Sequence, residues 1–202
     1  MKIVHVETLL SCGKFVQSGE WDKVRKHLHK SIKAVDWPVG SGKFTIYPQS
    51  GKKRGEGNGV RPIKVELVNE LKRFGWKPEE RLDLTSVHQP GKLDAVYYSK
   101  MGPVAFEWET GNISSSHRAL NKMALGLLKG KLIAGILVVP SRELYKYLTD
   151  RIGNWAEIAP YVDLWKSVPC KNGLLEIVVI EYDATSTAVP RIPKGTDGRG
   201  VN

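Results

Sequence analysis

The sequence predicts an α/β protein in which a central mixed β-sheet carries helices on both faces. Two β-rich runs, 93–98 and 104–110, are separated by five residues, a connection suited to an antiparallel hairpin. The second run leads into a helical pattern and then into the uniformly apolar run 132–139, which is typical of a strand covered on both faces in a strand–helix–strand unit. Antiparallel and parallel pairs therefore share one sheet.

The first half of the chain contains two amphipathic helices. Apolar residues recur at helical spacing over 20–34, with charged residues between them. A short strand is expected at 43–47, and the glycines and clustered cations of 49–59 predict a basic, mobile loop. The helical pattern returns over 63–74, between Pro62, which suits a first turn, and Gly75, which is a stop signal.

The second half alternates helices and strands. Asn112 and Ser114 supply turn and capping residues for a helix that Gly130 closes, and Ser141 can cap another helix that continues to residue 148. Helical character over 155–165 and a strand over 174–180 follow. We expect one domain over 1–202, with 184–202 as an extended tail that docks or stays mobile.

The composition points to a polyanionic partner. The chain has 202 residues, and its 31 Lys+Arg against 21 Asp+Glu give a net charge of +10, which suits nucleic acid or an anionic membrane surface. No apolar run approaches the roughly 20 residues that span a bilayer, and the charged start does not resemble a signal peptide, so we expect a cytoplasmic protein without a membrane partner. Cys12 and Cys170 are far apart in sequence and predict neither a zinc site nor a disulfide.

An acidic triplet lies on the predicted strand 104–110. Because alternate side chains of a strand share a face, Glu107 and Glu109 point the same way, and the hairpin places Asp94 beside them. Three clustered carboxylates repel one another unless a hard cation such as Mg²⁺ neutralises them. The simpler interpretation is a solvated strand face. The polar turn and helix N-terminus that follow, in a basic chain, favour a metal-dependent nuclease.

Several motifs resemble the BamHI type of type II restriction endonucleases, which have a PD-(D/E)XK-like nuclease fold. They occur in the same order and cover most of the chain: 36–38, 59–64, Leu93-Asp94, 106–118, 147–151 and 192–198. The resemblance implies a restriction-endonuclease-like fold, Mg²⁺-dependent cleavage of double-stranded DNA, and a homodimer.

The resemblance also implies catalytic roles. Asp94 and Glu107 match the metal ligands of the family, and Glu109 matches a general base that stands where most related nucleases carry a lysine. A fourth family carboxylate follows a tryptophan by three positions, which selects Glu79, although the adjacent Glu80 stays open as an alternative.

The resemblance further implies how DNA is read. The family's base-reading positions correspond here to Asn112, Ser114, Arg118, Asp150 and Arg151. Their donors and acceptors can specify G·C and A·T pairs, and the implied target is GGATCC, cut to leave four-base 5′ overhangs.

Two further segments are DNA-contact candidates. Gly195 and Asp197 match a tail that enters the minor groove, unless the terminus is disordered. The run Lys52-Lys53-Arg54 is either a solvated charge run or a phosphate contact. A DNA-binding protein that has lost catalysis, or a structure-selective nuclease or RNA-binding protein, would share the charge, but the intact carboxylates and the dense motif match favour the restriction endonuclease.

Overall fold

The computed structural model describes residues 1–53, 55–84, 91–108, 111–149 and 152–194. The strands are β1 (Lys2–Cys12), β2 (Thr45–Ile46), β3 (Lys77–Arg81), β4 (Lys92–Ser99), β5 (Gly102–Trp108), β6 (Ala134–Pro140), β7 (Gly173–Glu181) and β8 (Ala184–Thr185). The helices are α1 (Gly19–Ala34), α2 (Arg61–Arg73), α3 (Ile113–Leu128), α4 (Arg142–Tyr145), α5 (Trp155–Ile158) and α6 (Val162–Lys166).

Six of the strands form one mixed sheet, in the order β1-β7-β6-β5-β4-β3. β5, β6 and β7 are parallel neighbours, whereas β1 pairs antiparallel with β7, and β3, β4 and β5 pair antiparallel in turn. The predicted hairpin is confirmed as β4 and β5, joined at Lys100 and Met101. β2 and β8 form a separate parallel pair, so the expected strand at 43–47 is shorter than predicted and lies outside the main sheet.

The sheet has a hydrophobic core on each face. Phe106 and Trp108 of β5 point into one core, together with the apolar faces of α1 and α2. Ala105, on the opposite face of the same strand, joins the other core with residues of α3, α5 and α6. The predicted helices on both faces are confirmed, and this layering brings α2 and α3 to opposite sides of β5.

Two edge strands, β1 and β3, were not predicted. β1 has register shifts between Ile3 and His5 and between Thr8 and Leu10, which interrupt the alternation expected of a strand. Apart from Pro78, β3 contains only charged residues, and its conformation depends on pairing with β4 at the sheet edge. A proline and many charged residues are tolerated in an edge strand, but they produce no alternation of apolar and polar residues from which a strand could be predicted.

The basic segment 49–59 was expected to be a mobile loop, and its described residues contain no helix or strand, but the loop is docked against other parts of the chain. Its glycines permit close docking. A Cβ on Gly51 would lie 1.7 Å from the carbonyl oxygen of Leu148, and one on Gly59 would lie 2.1 Å from that of Pro193. The helix expected to reach residue 148 ends at Tyr145, because the chain beyond it bonds this segment: the Thr149 N–H donates to the Asn58 carbonyl at 2.7 Å.

Asn58 joins three parts of the chain. Its buried side chain donates from Nδ2 to the carbonyl oxygens of Tyr47 at 2.8 Å and Tyr147 at 2.9 Å. Its Oδ1 accepts from the Ile192 N–H at 3.1 Å. One amide therefore holds the basic segment, the chain after α4 and the tail at Ile192 together.

Replacing Asn58 with alanine is expected to lower the free energy of unfolding by about 3 kcal/mol, because buried carbonyl and N–H groups lose their partners. Equilibrium urea denaturation measures this loss. Asn69→Ala, on the exposed side of α2, is the matched control and should change the free energy by less than about 0.5 kcal/mol. Equal losses in the two variants would contradict the role given to Asn58.

The cysteines are distant in sequence but neighbours in the fold. Both are free thiols. Burial, reinforced by the neighbouring Cys12, raises the pKa of the Cys170 thiol to about 11.

Within the described part of the chain, no helix is both long enough and apolar enough to cross a membrane.

Candidate active site

The β4–β5 hairpin places two carboxylates side by side at the point where its backbone pairing ends. The paired residues run from Ser99 and Gly102 to Ala95 and Phe106. Beyond that pair, side chains replace the backbone partners. The Trp108 N–H donates to Asp94 Oδ2 at 2.8 Å, and the Asp94 N–H donates to Glu107 Oε2 at 3.3 Å. Asp94 and Glu107 are therefore adjacent, as the hairpin predicted, and the backbone orients both carboxylates.

Both carboxylates are largely withdrawn from water. The Asp94 side chain is 11% exposed and that of Glu107 is 13% exposed. Burial raises the pKa of Glu107 above its ordinary value, the ammonium of Lys122 opposes that shift, and the charge of Asp94 adds to it. Two adjacent, part-buried anions of this kind need compensating positive charge.

Two lysines provide that charge, one from each face of the sheet. Lys64 of α2 forms an ion pair with Asp94 Oδ1, and Lys122 of α3 forms one with Glu107 Oε1. Sequence reasoning assigned neither lysine a role. A signal was present for both: Lys64 ends the matched motif 59–64, and Lys122 lies one helical turn beyond Arg118 on the same face of α3.

A cavity of about 1090 Å³ connects these groups to the start of α3. Its lining includes Lys64, Asp94, Glu107, Ser114, Arg118 and Lys122. Two of the predicted base-reading residues therefore open into the same cavity as the predicted metal ligands.

The start of α3 positions the other predicted contacts. Asn112 is the N-cap, and its side-chain oxygen accepts from the Ser115 N–H at 3.3 Å. Arg118 is exposed, and its Nη2 donates to Ser115 Oγ at 3.3 Å. Asn112 and Arg118 thus lie on the solvent side of the first turns of α3, and Arg118 also lines the cavity.

Glu79 is not brought together with the two central carboxylates. The register of β3 and β4 places it opposite Asp94, but its backbone is left-handed, with φ of 56°, which breaks the alternation of side chains. Its carboxylate pairs with Lys92 at 3.0 Å, and Glu80 accepts from the Tyr98 hydroxyl at 2.9 Å. Among the described residues, no group of three or more His, Cys, Asp or Glu side chains is arranged to hold a metal ion.

Several predicted residues lie outside the described ranges: Arg54, Glu109, Asp150, Arg151, Gly195 and Asp197. Two of these segments are nevertheless connected through their described neighbours. The Gly153 N–H donates to the Gly111 carbonyl at 2.9 Å, which ties the chain after 150–151 to the turn after 109–110. A Cβ on Gly153 would lie 2.4 Å from Ser116 Oγ, so the glycine permits this close approach to α3.

A separate basic cavity of about 760 Å³ lies beside the docked segment 49–59. Its charged lining residues are Lys52, Lys53, Glu56, Arg142, Lys146 and Lys194. Cations from three parts of the chain converge there, so Lys52 and Lys53 belong to a larger positive surface and not to an isolated charge run.

Comparisons with known proteins agree on one family. The family model described as "Restriction endonuclease BamHI" matches residues 1–199. The chain belongs to this family. It is 42% identical over 201 residues to the type II restriction enzyme OkrAI of Oceanobacter kriegii, with 100% of both chains covered. It is 35% identical over 197 residues to the type II restriction enzyme BamHI of Bacillus amyloliquefaciens, covering 94% of this chain and 86% of that one.

A solved structure supports the fold assignment. Restriction endonuclease BglII, crystallised with a DNA 16-mer, superposes with a TM-score of 0.61 at 11% identity, over 95% of this chain and 88% of that one. The restriction-endonuclease-like fold is confirmed. As a member of the BamHI family, the protein is a DNA-binding, type II site-specific deoxyribonuclease.

Proposed function

We propose that this enzyme cuts double-stranded DNA at GGATCC in a Mg²⁺-dependent reaction, leaves four-base 5′ overhangs, and acts as a homodimer. The observation that carries the proposal is the pairing of Asp94 and Glu107 at the end of the hairpin, in one cavity with Ser114 and Arg118. The motif match that includes 106–118 and 147–151 supports the choice of target.

The donor set suits a hard divalent cation. Asp94 and Glu107 supply carboxylate oxygens, which Mg²⁺ prefers, and backbone N–H groups hold both side chains in place. When bound, Mg²⁺ supplies positive charge at the scissile phosphate and lowers the pKa of water at the site. In this scheme Glu109 accepts the proton of the attacking water. Glu79 is a further ligand only if its carboxylate leaves Lys92.

The recognition residues match the chemistry of the target. An arginine such as Arg118 or Arg151 can donate to guanine O6 and N7 together, and Asp150 can accept from the cytosine amino group. Asn112 can pair with adenine, and Ser114 can bond to several bases. Gly195 and Asp197 are the proposed minor-groove contacts. These assignments specify both kinds of base pair in GGATCC.

A homodimer suits a palindromic target, since two-fold symmetry in the protein matches that of the DNA. We place the interface on α3 and the helices that follow residue 154. Leu128 at the end of α3 is 53% exposed, and Tyr161 and Leu164 near α6 are 50% and 60% exposed. These exposed apolar side chains are available for contact with a second copy of the chain.

The proposed function is tested on short end-labelled duplexes. A duplex with GGATCC should be cut in Mg²⁺ and remain intact in EDTA, and duplexes with one base pair changed should be cut about ten- to a hundredfold more slowly. Cleavage of a changed duplex in preference to GGATCC would overturn the target. Tight binding without cleavage in Mg²⁺ would overturn the catalytic assignment.

The basic segment gives a separate prediction. A Lys52→Ala, Lys53→Ala, Arg54→Ala triple variant should bind DNA more weakly. Its plot of log affinity against log salt should be shallower by about one to three units, because fewer counterions are released. The control removes the same charge from the exposed side of α1 (Lys26, Lys30 and Lys33 to alanine) and should leave the slope unchanged. Equal slopes for the triple variant and the unmodified enzyme would place these cations away from the phosphates.

A further inference from the structure

Lys64 and Lys122 bind the oxygens of Asp94 and Glu107 that accept no backbone hydrogen bond. Asp94 Oδ2 is bonded to the Trp108 N–H, and Glu107 Oε2 is bonded to the Asp94 N–H. The remaining oxygens, Asp94 Oδ1 and Glu107 Oε1, are held by the ammonium groups of Lys64 and Lys122. A metal ion that binds Asp94 Oδ1 and Glu107 Oε1 therefore competes with the two ammonium groups for those oxygens.

The lysines are also placed to move toward DNA. Both line the cavity that holds the carboxylates, and their side chains keep 24% and 19% of their surface exposed. A lysine has a flexible four-carbon stem and a point charge with no fixed direction, so its ammonium can exchange one anion for another a few ångströms away. A phosphate entering the cavity is such an anion.

We propose that Lys64 and Lys122 couple metal binding to DNA binding. Without DNA, the two ammonium groups neutralise Asp94 and Glu107 and weaken metal binding. DNA phosphates draw the ammonium groups away and leave both carboxylates to the metal. By thermodynamic reciprocity, the metal then strengthens DNA binding by the same factor. The inference rests on the proposed metal-binding role of Asp94 and Glu107, and in it both lysines are positioning residues that remain charged throughout.

The test is calorimetric titration of the full chain with Ca²⁺, without DNA, at mildly alkaline pH. Lys64→Met and Lys122→Met remove one charge each while keeping an unbranched side chain, and each should bind Ca²⁺ about tenfold more tightly than the unmodified enzyme. Lys122→Arg keeps the positive charge and should bind Ca²⁺ as weakly as the unmodified enzyme does. Lys131→Met, which breaks the lysine–aspartate pair with Asp83 outside the cavity, is the matched control and should leave the affinity unchanged.

A second titration adds the GGATCC duplex. DNA should tighten Ca²⁺ binding to the unmodified enzyme by about tenfold or more, and should tighten it less in either methionine variant. If the methionine variants match the unmodified enzyme in both titrations, this inference is overturned and the metal assignment survives. If none of the folded proteins binds Ca²⁺ with or without DNA, the metal assignment fails and the inference fails with it. The two lysines are tested independently, so misfolding of one variant leaves the other decisive.

Discussion

Replacing Asp94 with asparagine is expected to lower the rate of DNA cleavage by about three orders of magnitude. The amide oxygen of asparagine can still accept from the Trp108 N–H, so the end of the hairpin keeps its geometry. Loss of the negative charge weakens the binding of a divalent cation, because an amide oxygen attracts the cation less strongly than a carboxylate oxygen does. Single-turnover cleavage of a labelled duplex at saturating enzyme measures the chemical step directly.

Asp83→Asn is the matched control for this change. Asp83 also pairs with a lysine, Lys131, at 2.8 Å, but it lies outside the cavity. Cleavage by this control should stay within about twofold of the unmodified enzyme, since a surface pair of this kind contributes little. An Asp94→Asn enzyme that cuts as fast as the Asp83→Asn control would remove Asp94 from the metal site.

Replacing Glu109 with alanine is expected to abolish detectable cleavage while specific DNA binding persists. The general base acts on the attacking water and contributes roughly a hundred- to ten-thousandfold to the rate. Asn112 caps α3, and Ser114 and Arg118 lie in its first two turns, so the proposed recognition side chains belong to a separate element of the chain. Fluorescence anisotropy with a GGATCC duplex in Ca²⁺ measures binding, and a cleavage assay in Mg²⁺ measures the loss.

The binding measurement separates a role in chemistry from a role in recognition. If Glu109→Ala loses specific binding and cleavage together, Glu109 supports the DNA interface. If the variant cuts DNA at the original rate, the base is a different residue. Glu107→Gln is a useful comparison, because it should lower metal affinity as well as cleavage.

The central architecture could be predicted because its signals are local. A five-residue connection fixed the β4–β5 hairpin, and hairpin register then placed Asp94 beside Glu107. The uniformly apolar β6 indicated cover on both faces, which the two cores confirm. The family was identified from the resemblance of the motifs, because hydrophobic periodicity carries no information about family.

The parts that were missed depend on contacts between distant segments. Lys64 and Asp94 are 30 positions apart and meet only because α2 packs against the sheet beside β4. The direction of the Glu79 side chain depends on its left-handed backbone conformation, which no sequence pattern predicts. The docking of segment 49–59 likewise depends on Asn58 reaching Tyr47, Tyr147 and Ile192.

The proposed single cleavage specificity is tested most directly by sequencing every DNA end that the enzyme produces from a complex genome. After digestion in Mg²⁺, all new ends are expected to derive from GGATCC, to carry four-base 5′ overhangs, and to be absent when Asp94→Asn replaces the unmodified enzyme. Ends that derive from another sequence, with GGATCC sites left intact, would contradict it.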